Sequence, residues 1–380
     1  MRFSVMFAGL TILLIISSPV LADSRADLDR CKFAGQITNA DQNIAACDRV
    51  LNDPKTTGPG RASAFSNRCG WWWAKKDPDR ALSDCNEAIR IDRTYAAAYV
   101  NRGNAYLNKA DAEHAFADFT EAIRLDPKNA WAYTARGDLY KNKGDFDRAL
   151  ADFSESIQLD PNYAVTYFFR SELYQRKSDF DHAFADLNES IRLDPNYAPA
   201  YFARGSLSYT VGNNLGAVAD FTKSIQLEPD EAKAYFSRGV AYFFVGGHIA
   251  DAEADLKKAA ALNPKDAYAA LWLDLAERRN NVPSHLAEAA KQLDMTAWPA
   301  PVVRHFLSDL NAAQTLAAAF DRDPKTASAQ TCEANFYSGE LALLKKDGKE
   351  AQRLLQLAAN DCPRGFIEST AAVAELVTKR

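Results

Sequence analysis

The chain has 380 residues, 47% of them hydrophobic, and its 45 basic and 50 acidic side chains leave a formal charge of −5. That length and apolar share support a sizeable core. The acidic balance argues against a nucleic-acid partner, which needs a basic face to engage phosphates, and past residue 16 no apolar stretch is long enough to span a membrane.

In chain order, Met1 to Ala22 carries one positive charge at Arg2, an apolar run from Val5 to Ile16, and then Ser-Ser-Pro-Val-Leu-Ala. This is the pattern of a secretory signal cleaved after Ala22, with a retained anchor as the alternative. No cysteine follows the cleavage point directly, so a bacterial lipoprotein signal is not expected. The expected mature protein is periplasmic or secreted, without membrane insertion. Residues 23–61 read as a degenerate helical hairpin, because Cys31 and Cys47 have the same 16-residue spacing as Cys69 and Cys85.

From residue 62 to 265 a 34-residue period passes through six in-phase copies. With Ala96 as position 1, position 4 holds Tyr99, Tyr133, Tyr167, Tyr201 and Tyr235, and position 8 holds Gly103, Gly137, Ser171, Gly205 and Gly239. Position 20 is Ala115, Ala149, Ala183, Ala217 and, after one inserted residue, Ala252; position 24 is Phe119, Phe153, Leu187, Phe221 and Leu256. Pro127, Pro161, Pro195, Pro229 and Pro264 close the copies. Positions 4, 8 and 11 share one helical face, and positions 20, 24 and 27 share a face of a second helix. Glycine at position 8 is expected to let the two helices approach closely against the alanine at position 20. The Asp-Pro step stops the second helix.

These columns resemble the 34-residue tetratricopeptide repeat. The resemblance implies an all-α fold, a right-handed superhelical solenoid of helix-turn-helix repeats whose stacked neighbours bury what one hairpin cannot. Residues 266–330 read as an irregular helical connector, broken at Pro283 and at Trp298-Pro299-Ala300-Pro301. Residues 331–380 read as a further hairpin of the same kind and a capping helix, with Cys332 at the start of one helix and Cys362 at the end of its partner. Six cysteines, an export signal and hairpin-local spacings favour three disulfides, Cys31 with Cys47, Cys69 with Cys85 and Cys332 with Cys362. Buried free thiols are the alternative. Neither a metal site nor a cofactor is expected, since no Cys-x-x-Cys or paired histidines occur.

Two charged columns persist. Position 7 is Arg68, Arg102, Arg136, Arg170, Arg204 and Arg238; position 23 is Asp84, Asp118, Asp152, Asp186, Asp220 and Asp255. They are read as a structural pairing between helices, not as a ladder for a polyanion. The functional surface is expected on the inner stripe of the first helices: Asn101, Asn104 and Asn108 at one end, Trp131, Thr134, Asp138, Phe168, Glu172 and Arg176 in the middle, and Phe202, Tyr209, Phe236, Phe243 and Phe244 at the other. Some tetratricopeptide proteins grip a peptide carboxylate with lysines and asparagines; here the flanking lysines are missing.

No catalytic residues are expected. The five histidines are scattered, with His114 and His182 on an outer face, and no nucleophile elbow, zinc-protease motif, phosphate loop or dinucleotide fingerprint occurs. The segment from Trp298 to Leu376, with CEANFYSGELALL and GFIESTAAVAEL, resembles the C-terminal part of periplasmic tetratricopeptide adaptor lipoproteins of murein hydrolases. The expected function is a non-enzymatic adaptor or scaffold that binds a protein or extended peptide in its groove. A structural subunit of an envelope machine for polysaccharide export or pilus biogenesis, engaged through its convex face, is the alternative, and a homodimer is left open.

Overall fold

A computed structural model describes residues 24–32, 39–363 and 366–378; the leader expected at residues 1–22 lies outside them. The contacts divide the chain into two compact units, with the boundary after Pro161. The first contains α1 (Ser24–Cys31), α2 (Ala40–Asn52), α3 (Gly58–Ala74), α4 (Pro78–Ile91), α5 (Ala96–Asn108), α6 (Ala112–Leu125), α7 (Ala130–Asn142) and α8 (Phe146–Leu159). Each odd helix packs on the next even one as a hairpin, and α2, α4 and α6 pack in turn on the following hairpin.

The second unit continues with α9 (Ala164–Arg176), α10 (Phe180–Leu193), α11 (Ala198–Thr210), α12 (Asn214–Leu227), α13 (Ala232–Phe243), α14 (Ile249–Leu262) and α15 (Ala267–Arg279). Three short helices follow, α16 (Leu286–Ala289), α17 (Ala300–Phe306) and α18 (Ala312–Ala318). A last hairpin, α19 (Pro324–Leu344) with α20 (Gly348–Asp361), is followed by α21 (Ile367–Thr378). Among the described residues there is no strand.

The turns explain why the period folds this way. Position 15 is left-handed in successive repeats, at Ala110 (φ 58), Gly144 (φ 80), Ser178 (φ 58) and Gly212 (φ 82), which costs least at glycine. The next residue caps the second helix: Asp77, Asp111, Asp145, Asp179 and Asn213 each accept a backbone N–H three residues on. Asp126, Asp160 and Asp194 then leave the helix near φ −133, −138 and −131, just before the closing prolines.

The glycine at position 8 faces the position-24 side chain first; at Gly239 the Ala252 carbonyl at position 20 is also 3.2 Å from where a Cβ would stand. A Cβ on Gly137 would stand 2.8 Å from the Phe153 ring, and one on Gly103 would stand 2.8 Å from Phe119. The repeats fill this point with complementary volumes: glycine against phenylalanine, Ser171 against Leu187, and Cys69 against Cys85. Gly137→Ala should therefore lower stability, because overpacking of about 1 to 3 kcal/mol exceeds the ~1 kcal/mol gained in helix propensity. Urea unfolding measures this, and Gly137→Ser with Phe153→Leu, copying the neighbouring repeat, should restore the midpoint.

The C-terminal hairpin uses the same device, since a Cβ on Gly339 would lie 2.9 Å from Leu355 Cγ. Its first helix starts earlier than expected. Asp323 caps α19 and Pro324 opens it, so residues 324–330 are helical and Cys332 sits inside the helix instead of at its start. The second unit's core gathers around Trp272, Phe336 and Tyr337, all fully buried.

Candidate functional site

The charged columns pair in all six repeats. Arg68, Arg102, Arg136, Arg170, Arg204 and Arg238 each form two parallel bonds to Asp84, Asp118, Asp152, Asp186, Asp220 and Asp255 at 2.6 to 2.8 Å. The guanidinium lies over the tyrosine at position 4, 5.4 Å from the Tyr99 ring for Arg102 and 5.6 Å from Tyr133 for Arg136. A third contact reaches the preceding hairpin: Arg102 donates to Asn86, Arg204 to Asn188 and Arg238 to Thr222. The sequence reading missed this link, although the small polar residues at position 25 signal it. The hydrogen bonds donated to Asp118 hold the Arg102 guanidinium above its ordinary value. These side chains carry the stack and are not offered to a ligand.

The degenerate first hairpin inverts the arrangement. Asp27 on α1 accepts 2.9 Å and 2.6 Å bonds from Arg49 on α2, so charge and helix are exchanged. The bonds from Arg49 hold the Asp27 carboxyl below the usual range. The paired cysteines have their sulfurs at disulfide distance, with Cα separations of 4.7 Å for Cys31 and Cys47, 5.5 Å for Cys69 and Cys85, and 4.9 Å for Cys332 and Cys362.

In the first unit the structure removes part of the expected stripe from reach. Asn101 is buried and donates to the Ser66 carbonyl at 2.9 Å and hydroxyl at 3.1 Å, joining neighbouring hairpins. Asn104 is buried as well. Thr134 is 2% exposed because its hydroxyl meets Ser156 at 2.8 Å inside the hairpin. Ser156, at position 27, was the overlooked signal, since buried hydroxyls are mostly hydrogen-bonded. Asn108 is exposed and bonds the Trp73 carbonyl, Trp131 is half-buried against the core, and Asp138 lies 3.0 Å from Lys141 Nζ.

In the second unit the three position-5 aromatics are half-buried. Phe168 meets Tyr197 edge-on at 5.4 Å, Phe202 leans on Phe221 at 5.5 Å, and Phe236 packs on the core margin. Glu172 is half-buried and Arg176 exposed. Tyr209 and Phe243 are each only 7% exposed, contrary to expectation. Helices α15 and α21 cover them: Phe243 is edge-on to Trp272 of α15 at 5.3 Å with Arg279 4.1 Å above it, and α21 packs against α11, which carries Tyr209. Phe244, half-buried, meets Phe243 edge-on at 5.2 Å.

His114 and His182 lie on the surface and also do local work. They stack on Tyr106 and Tyr174 at 4.9 and 5.0 Å and bond the capping Asp111 and Asp179. Arg80 and Arg148 take the same place over Trp72 and Tyr140.

A buried group that the sequence reading did not single out lies in the second unit. Glu333, Glu340, Glu368 and Glu375 are all 6% exposed or less. Arg279 reaches Glu340 at 2.5 Å and Glu375 at 2.7 Å. Glu333 accepts the Tyr268 hydroxyl at 2.8 Å and the Trp298 indole N–H at 2.7 Å, and Tyr337 bonds Glu368 at 3.1 Å. Burial, with the charge of Glu333 second, pushes Glu368 up to about 7. Among the described residues no helix is long and apolar enough to cross a membrane, and no cluster of metal-ligating side chains occurs.

Family comparison agrees with this geometry. Models of the tetratricopeptide repeat match residues 96–129, 130–163, 164–197 and 202–267, so these segments are tetratricopeptide repeats, a class that commonly mediates protein–protein interaction. Among solved structures, the anaphase-promoting hetero-tetramer Cut9-Hcn1 shares the fold at 15% identity and TM-score 0.53, over 74% of this chain and 54% of that one. YrrB, described as a tetratricopeptide protein with an unusual peptide-binding site, is 23% identical over 49% of this chain and 95% of its own, at TM-score 0.41. PilF of Pseudomonas aeruginosa is 16% identical over 56% and 94%, at TM-score 0.47. No curated protein matches the chain, and the resemblance of its C-terminal part to an envelope adaptor is not confirmed.

Proposed function

We propose that this protein is an exported, non-catalytic adaptor whose second unit holds a protein or extended peptide along its inner stripe. The observation that carries this reading is the recurrence of Phe168, Phe202 and Phe236 at one repeat position on α9, α11 and α13, each left half-buried. An aromatic anchor that a partner desolvates contributes about 2 kcal/mol or more to binding. Glu172 and Arg176 supply polar contacts beside these rings, and Asn108, Trp131 and Asp138 offer a smaller stripe in the first unit. In this reading the leader directs the chain to an oxidising compartment, where the three cysteine pairs form disulfides.

Site-specific photocrosslinking tests the stripe. A photoreactive side chain at Ser206, between Phe202 and Tyr209 on α11, should give a discrete adduct with an envelope protein. Replacing Phe202 and Phe236 by alanine should weaken that adduct at least about tenfold, with the melting curve recorded as a folding control. Adducts only from the outer-face position Ala185 would instead assign the partner to the convex side and overturn the reading.

A further inference from the structure

We infer that α21 is a self-covering element of the second unit's inner surface, docked over Tyr209 while the buried Glu333 and Glu368 cluster holds a proton and released when that proton is lost. The placement comes first. α21 packs on α19 and α20 and also reaches α11, whose inner stripe carries Tyr209. Ala371 and Ala372 are fully buried in the same core as Tyr209 and Phe243, and their small side chains let the helix approach closely. Among the described residues the Tyr209 hydroxyl has no hydrogen-bond partner, and the carboxylates acting on it are Glu368 and Glu340.

The charges make this docking conditional. Four glutamates among the described residues are buried together with one guanidinium, Arg279, which serves Glu340 and Glu375. Among the described residues Glu333 and Glu368 have hydroxyl and indole donors but no cation among their bonds, so charging both is costly in the apolar interior. The groups that interact with Glu368 are Glu333 and Tyr337 from α19, Tyr268 from α15 and Tyr209 from α11; Trp298 from the connector bonds Glu333, and Arg279 from α15 bonds Glu340 on α19 and Glu375 on α21. On α20 the ion pair Glu350 and Arg353 is exposed. Burial raises Tyr209 and Tyr337 well above the ordinary phenol value, so neither titrates near neutrality.

The sign follows from the raised carboxyl. A group held near 7 when docked and at its ordinary value when released favours docking below about pH 5 and loses that contribution as pH rises to about 7. Cys332 and Cys362, at the junction of α19 with the end of α20, confine the opening to residues past Pro363. What the uncovered Tyr209 and Phe243 would contact rests on the proposed function; the proton-dependent docking does not.

Hydrogen exchange on the full chain, corrected for intrinsic rates, tests the docking. Protection of α21 should fall up to about tenfold per pH unit between about 5 and 7 and then level off, while α5 to α8 stay unchanged. Glu368→Gln, which mimics the protonated acid, should flatten the profile. Glu333→Gln removes the neighbouring charge that helps to raise Glu368, so it should move the fall in protection to lower pH. Flat protection of α21 in the wild type, or a profile that neither variant changes, would overturn the inference.

Discussion

Asp152→Ala should destabilise the first unit by about 3 to 5 kcal/mol, because it leaves the Arg136 guanidinium mostly buried without its carboxylate. The side chains of Arg136 and Asp152 are 17% and 9% exposed, and their 2.8 Å bonds link α7 to α8. Thermal unfolding is the measurement, with a fall in midpoint on the order of 10 °C. Arg136→Met together with Asp152→Leu should recover most of the loss, since an apolar pair of similar volume is often neutral. An unchanged melting curve for Asp152→Ala would show that the repeated pair is an ornament of the surface. Arg124→Ala is the internal comparison: its pair with Glu121 is exposed and one turn apart, so little change in midpoint is expected.

Arg279→Ala should be as damaging in the second unit, costing about 3 to 5 kcal/mol, because it strips the cation from two buried carboxylates at once. Glu340 and Glu375 have side-chain exposures of 0% and 5%, and they stand on α19 and α21 while Arg279 stands on α15. The same substitution removes a guanidinium from the face of Phe243. Arg279→Lys should restore little, since one ammonium cannot reproduce a fork that serves two carboxylates. Denaturant unfolding followed by tryptophan fluorescence reads the change, as Trp272 lies at the centre of this core. A variant as stable as the wild type would mean that the glutamates are neutralised in another way.

Much of the fold was legible because the repeat writes the same local solution many times. A column of arginine before a column of aspartate, sixteen residues apart in five copies and seventeen in the sixth, has one economical reading in a hairpin, and the bonds lie where that reading puts them. The cysteine pairs were legible for a related reason, as spacing within a hairpin fixes which ends meet. The glycine column was read correctly as a close approach, but its nearest neighbour is the position-24 side chain, and the position-20 alanine joins it at Gly239. Periodicity states that positions 8, 20 and 24 face inward, but not which side chain crosses to which backbone.

The candidate stripe was less legible. Asn101 and Thr134 lie on the face the helical spacing gives, yet Ser66 on a neighbouring helix and Ser156 across the hairpin claim them. Tyr209 and Phe243 were placed on the groove by their repeat positions; α15 covers Phe243 with Trp272 and Arg279, and the far-downstream α21 packs on the helix that carries Tyr209. Nothing in their own repeats announces that cover.

By itself, the sequence determined the all-helical repeat, the hairpin turns, the charged pairing and the cysteine partners, because each depends on contacts within one or two adjacent repeats. Only the tertiary structure decided which inner-face side chains stay open and which are buried, and it alone gathered Glu333, Glu340, Glu368, Glu375 and Arg279. The physical reason is the range of the interaction. A periodic pattern encodes what lies about 16 residues away across a hairpin or 34 away in the next repeat, whereas the return of α21 onto α11 is a single non-periodic contact that no column can record.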